Sequence, residues 1–263
     1  PMQEVFFTYE WSGYLYKKVI DTGYHPFKRN RFYVSSIELK KEVLDFLEKM
    51  DIDIECGDKK EIKLSDIFAF PTLKEDKGKI TNFIRDMSSM IKYVEEKKYI
   101  SIRGQKEYGK TALLKQIFKQ YYEMKKFPIF FDISKLDTAD GEALNRIVEG
   151  KYKNTYNNID VDIIMQKDSK ERVCLVDNIE RIKLKDESAK KLLQYLTSKF
   201  GYVIITRNHT LDIMNPLSYV KMNDYIQDTF SLLILQPTKR TSKERIINRW
   251  LQLSGEDETE SVS

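Results

Sequence analysis

The sequence predicts an α/β chain: a mostly parallel five-stranded sheet covered by helices on both faces, preceded by a small α+β linker region. Three observations predict it. Beyond residue 97, short β-branched or aromatic runs alternate with helical stretches, at Tyr99 to Arg103, Pro128 to Asp132, Val173 to Asp177, Tyr202 to Thr206 and Leu232 to Leu235. Runs that are apolar throughout suit strands buried on both faces, as a parallel sheet with crossover helices requires. A glycine-bounded octapeptide joins the first run to a helical stretch. Finally, 263 residues at 41% hydrophobic and 12% aromatic composition can bury a core of full domain size.

The elements follow in order. Phe6, Phe7, Tyr9, Trp11, Tyr14 and Tyr16 show neither a two-residue nor a helical period, so no element is assigned there. Ser35-Ser36-Ile37-Glu38 has the pattern of a capping box, and Leu39, Val43, Phe46, Leu47 and Met50 continue it as one amphipathic helix. Glu61 to Pro71 alternates and then turns apolar, which suits a strand ending at the proline. The polar run Lys74 to Lys79 reads as a linker. From Ile80, the spacing of Phe83, Ile84, Met87, Ile91 and Val94 predicts a second amphipathic helix. The organisation expected is a connector region over 1–79, the sheet domain with the start of a helical part over 80–253, and an acidic, Ser-rich disordered tail over 254–263. A helix within Ser242 to Leu251 carries Ile246, Ile247, Trp250 and Leu251 on one side.

Composition narrows the class. Lys and Arg number 45 against 41 Asp and Glu, with signs intermixed, so the net charge of +4 predicts no nucleic-acid partner. Two cysteines, Cys56 and Cys174, are too few for a disulfide framework and suit a cytoplasmic setting. No membrane span and no signal layout are read. His25 and His209 have no companions at ligand spacing, so both read as surface residues.

The chemistry concentrates in Gly104-Gln105-Lys106-Glu107-Tyr108-Gly109-Lys110-Thr111, which satisfies G-x-x-x-x-G-K-[ST] at every fixed position. Backbone N–H groups of such a loop, and the start of the helix continuing through Ala112, point at phosphate. The two glycines let the backbone bend around it, Lys110 reaches the β- and γ-phosphates, and Thr111 holds Mg2+. A carboxylate on a neighbouring strand completes the metal site, and Val173-Cys174-Leu175-Val176-Asp177 supplies Asp177. Asn178 follows, where many such ATPases carry a water-activating acid, and an amide cannot accept that proton. Glu180 can take this role or be a solvated helix residue. The strand end Thr206-Arg207-Asn208 sets Arg207 near the γ-phosphate, as a sensor of the ligand or as a structural ion pair. Slow or conditional hydrolysis of ATP or GTP follows.

These pieces, with Val-Asp-Asn-Ile-Glu after one strand, Ile-Ile-Thr-Arg ending another, and Gln-Pro before Glu-Arg-Ile-Ile-Asn-Arg-Trp-Leu, resemble a STAND-type NTPase of the NACHT and NB-ARC kind. Leu64 to Pro71, Leu-Ser-Asp-Ile-Phe-Ala-Phe-Pro, resembles the element that joins an upstream calcineurin-like phosphoesterase to the NTPase in bacterial members. The resemblance implies an ATP-dependent signalling switch in antiviral defence, adenine as the base, homo-oligomerisation on activation, and effector and sensor regions elsewhere in a longer protein. The second reading is an AAA+ or helicase-like ATPase acting on nucleic acid.

Overall fold

The computed structural model describes residues 38–50, 62–76, 82–131, 133–208, 219–237 and 240–254. In chain order these form α1 (Lys41–Glu48), α2 (Leu64–Ile67), β1 (Leu73–Glu75), β2 (Phe83–Ile84), α3 (Met87–Lys97), β3 (Tyr99–Gly104), α4 (Lys110–Glu123) and β4 (Phe127–Phe131). Then come α5 (Gly141–Thr155), α6 (Val161–Gln166), β5 (Arg172–Val176), α7 (Asp186–Lys199), β6 (Tyr202–Asn208), α8 (Val220–Thr229), β7 (Ser231–Leu235) and α9 (Arg240–Ser254). The aromatic-rich start, the Ser35 to Ile37 part of the capping box, both histidines and the tail beyond Ser254 lie outside the described residues.

The sheet runs β2-β1-β7-β3-β6-β5-β4. Its five strands β7, β3, β6, β5 and β4 are parallel, in the positions where the apolar runs predict them. The sheet nevertheless has seven strands, because β1 adds to β7 and β2 to β1, both antiparallel. Lys74 and Glu75, at the head of the polar run read as a linker, pair with Ile234 and Leu233, next to a fully buried Leu73, so that part of the run belongs to the sheet. The strand expected to end at Pro71 is instead the single turn α2, nucleated by the Asp66 carboxylate accepting from the Lys63 N–H at 3.0 Å. Phe83 and Ile84, expected in a helix, are strand residues. The helix starts at Met87, where the Asp86 side chain accepts from the Ser89 N–H at 2.8 Å and satisfies one of the first-turn donors.

Helices cover both faces. Thr206 and Asn208 of β6 reach residues at the start of α4 or bonded to it, whereas the Tyr99 hydroxyl, on the alternate face of β3, donates to the Thr197 carbonyl of α7 at 2.8 Å. The core between them is built of Ile100, Ile102, Leu113, Ile117, Leu175, Ile204 and Leu193, all fully buried. Among the described residues no helix is long and apolar enough to cross a membrane.

One close approach fixes how β6 enters the sheet. The Gly201 N–H donates to the Ser169 carbonyl at 2.8 Å, and a Cβ added at Gly201 would lie 2.6 Å from both the Lys170 Cα and the Ser169 oxygen. These are backbone atoms and cannot rotate away. Gly201→Ala is expected to lower the stability of the chain by about 1–3 kcal/mol, the usual range for overpacking, read from the midpoint of urea unfolding.

Candidate nucleotide-binding site

The C-terminal ends of β3, β5 and β6 converge on one edge of the sheet. β3 ends on Gly104, which leaves little room, since a Cβ there would come within 3.0 Å of the Leu235 Cβ. The chain then turns through Glu107 at φ 67 and Gly109 at φ 85 before α4 begins at Lys110. Left-handed residues interleaved with ordinary ones turn successive N–H groups toward a common point, and the N-terminus of α4 adds its dipole there. The Lys106 and Glu107 side chains are exposed, so these two positions offer their backbone to a ligand.

Two hydroxyl side chains then organise around Asp177. Thr111 donates to one carboxylate oxygen at 2.6 Å, and Thr206 donates to the other at 2.5 Å. The Thr206 hydroxyl in turn accepts from the Asn178 N–H at 2.8 Å. Lys110 is buried and donates to the Gly104 and Gln105 carbonyls at 3.0 and 2.7 Å and to the Asn208 amide oxygen at 2.8 Å. Burial holds its ammonium pKa below the usual lysine range, against the opposing charges of Glu180 and Asp177.

Glu180 enters from a single 3-10 turn, Ile179–Arg181, directly after Asn178. Both of its carboxylate oxygens are buried, with no hydrogen-bond partner among the described residues. Burial raises its pKa. The N–H groups of Glu180 itself and of Asn208 lie near enough to oppose the rise without completing a bond, and the Lys110 charge opposes it further.

The structure therefore brings together Gly104 to Ala112, Asp177 and Glu180. Arg207 is different. Side chains alternate along a strand, so if Thr206 and Asn208 face Asp177 and Lys110, Arg207 lies on the other face, where it is 3% exposed. The residue of β6 that meets Lys110 is Asn208. Reading Thr206 and Asn208 as an i, i+2 pair on one face would have selected them. Mg2+ fits the donor set: the Thr111 hydroxyl and an Asp177 oxygen already converge, while a carboxylate with two orphaned oxygens stands behind them.

Fold and site together place a loop of the P-loop pattern between β3 and α4, with the Asp177 strand end beside it. No family model matches the chain, and no curated protein matches it. Among solved structures it is similar to replication initiator DnaA bound to AMPPCP and single-stranded DNA, at 14% identity over 63% of this chain and 50% of that one, TM-score 0.40. It is also similar to the DnaC helicase loader, at 20% over 58% and 90%, TM-score 0.36, and to the Aeropyrum pernix Orc1 protein in complex with DNA, at 10% over 63% and 49%, TM-score 0.41. The chain spans about half the length of the DnaA and Orc1 chains. One expectation is corrected: the net charge of +4 is a sum over the whole chain and says nothing of where the charges lie, so it does not exclude nucleic acid as a partner.

The raised Glu180 pKa has a consequence for stability. Between the ordinary glutamate value and its own raised value, the folded chain binds more protons than the unfolded chain at this group, so its contribution is present at low pH and lost as pH rises through that window. Glu180→Gln is expected to remove this fall, seen as a flatter dependence of the unfolding midpoint on pH across the window.

Proposed function

We propose that this chain binds ATP with Mg2+ at the Gly104 to Thr111 loop and hydrolyses it slowly. The observation that carries the reading is the orphaned Glu180 carboxylate, buried beside Lys110 and Asp177 at the end of the strands that flank the loop. The Gly104 to Thr111 backbone and Lys110 would hold the β- and γ-phosphates, and Thr111 and Asp177 would hold the metal, which neutralises phosphate charge when bound. Asn208 keeps Lys110 aimed across the loop. Glu180 accepts the proton of a water whose oxygen forms a bond to the γ-phosphorus while the bond to the bridging oxygen breaks and ADP leaves. A carboxylate with a raised pKa is a stronger base for that proton. Access is restricted by burial, which suits slow turnover.

The base has a seat on the other side of β3. A cavity of about 340 Å³ is lined by Thr72, Phe83, Arg85, Gln236 and Pro237, the last two directly after the end of β7, and the Arg85 guanidinium stacks 5.3 Å from the Phe83 ring centroid. A planar base suits such a floor. Adenine is the base implied by the resemblance to STAND proteins.

Two machines share this site: a STAND-type signalling switch, and an AAA+-type ATPase acting on nucleic acid. The second is in keeping with the DNA-bound structures that the chain is similar to, and it is the reading preferred here. Single-stranded DNA added to the chain with Mg2+ and ATP is expected to raise phosphate release at least about tenfold and to bind with a steep salt dependence. Turnover and binding indifferent to DNA would return the reading to the switch.

For the site itself, Lys110→Ala is expected to abolish ATP binding in calorimetry. Glu180→Gln is expected to leave affinity within about threefold while lowering phosphate release by about 100-fold, the scale of a lost general base. Unchanged release by Glu180→Gln would remove Glu180 from the reaction.

A further inference from the structure

A short stretch of chain crosses the helix that carries the phosphate-binding residues. Glu38 and Lys40 anchor it at the end of α5, where the Asn157 N–H donates to the Glu38 carbonyl at 2.7 Å and the Lys40 N–H to the Thr155 carbonyl at 3.0 Å. α1 then lies on α4. The buried Lys115 ammonium donates to the Lys49 carbonyl at 2.7 Å and sits 4.7 Å from the Phe46 ring centroid. One turn on, Lys119 donates to Glu48 at 2.6 Å, and the other Glu48 oxygen accepts from the Ser65 hydroxyl of α2 at 2.8 Å.

Two features of this attachment matter. Thr111, Lys115 and Lys119 are spaced four apart, so the metal-binding hydroxyl and both clamp lysines share one stripe of one rigid helix. The grip is also largely polar. α1 buries Leu47 and sets the Phe46 ring edge-on to Phe130 at 5.2 Å, but leaves Phe46 41% and Leu44 49% exposed, and water can replace each of the lysine contacts when the helix lifts away. An element held by few buried apolar contacts is drawn from the low-stability end of a fold.

We propose that the segment Glu38 to Lys49 is a releasable clamp on α4, whose attachment and nucleotide binding at the Gly104 to Thr111 loop favour each other. This rests on the nucleotide reading above. The clamp fixes α4 against α5 and β4, and a fixed α4 presents Lys110 and Thr111 already in position. A ligand that orders the start of α4 must, by linkage, strengthen the clamp by the same factor by which the clamp strengthens ligand binding.

The test is amide hydrogen exchange on the whole chain, with and without Mg2+ and a non-hydrolysable ATP analogue, together with calorimetric Kd values. The analogue is expected to slow exchange across Lys41 to Glu48 by at least about fivefold, the lower end of typical coupling. Lys119→Glu sets two carboxylates face to face and is expected to speed that exchange and raise Kd by a similar factor. The double reversal Glu48→Lys with Lys119→Glu is expected to bring both back toward the parent values. Unaltered exchange in β3 and β6 shows that each variant keeps its core. Two results would overturn the clamp: analogue binding that leaves exchange in α1 unmoved, or Lys119→Glu loosening α1 with Kd unchanged, as a plain structural prop would behave. Failure of the parent chain to bind the analogue would overturn the nucleotide reading and this proposal together, which is a distinct outcome.

Discussion

The Asp177 carboxylate is the point on which the site depends. Its two oxygens are taken by hydroxyls from two other elements, Thr111 of α4 and Thr206 of β6. The arrangement is needed because of the strand order. β3, which leads into the phosphate loop, and β5, which delivers Asp177, are not neighbours, since β6 lies between them. A short hydroxyl side chain at the end of β6 spans that gap. Thr206 both donates to Asp177 and accepts from the Asn178 N–H, so it fixes the carboxylate and the backbone that follows it at once. Fully satisfied polar networks of this kind hold one geometry, whereas an apolar residue at 206 would leave both the N–H and a carboxylate oxygen without partners.

The same edge balances charge in a confined volume. A buried lysine beside two carboxylates has a strong penalty for any one of them standing alone, and the structure distributes it unevenly. Asp177 receives two hydroxyl donors, and Lys110 has three oxygen acceptors, two of them backbone carbonyls. Glu180 receives no complete bond, and burial raises its pKa. The group left short of partners is thus the one proposed to exchange a proton, while those proposed to hold phosphate and metal are tied down.

Much of this was legible in the sequence, and the rest failed for identifiable reasons. The five parallel strands were legible because burial on both faces leaves uninterrupted apolar runs. The loop from Gly104 to Thr111 and Asp177 were legible because local pattern and strand ends carry them. β1 and β2 were not, since three and two residues are too few to show a period; the identity of β1 comes from pairing onto β7 across more than a hundred residues of chain, and that of β2 from pairing onto β1. Lys74, read as linker, is a strand residue because antiparallel addition to an edge requires only backbone groups and one buried side chain, Leu73. Of the strand end Thr206-Arg207-Asn208, Arg207 is the residue read as a ligand sensor or a structural ion pair. Strand alternation reverses that choice, because sharing a face with Thr206 decides which side chain reaches Lys110.

The residue beside Asp177 shows why adjacency in sequence misleads at such a turn. Asn178 has φ 52, in the left-handed region that asparagine tolerates better than most residues. That conformation ends the strand, points the Asn178 N–H at Thr206, and starts the 3-10 turn that returns Glu180 toward Lys110. An acid at position 178 would have to reach the site from a backbone already committed to that bond. Asparagine at 178 then reads as the residue that makes the turn, and the absence of an acid there is no measure of the site's capacity for proton transfer.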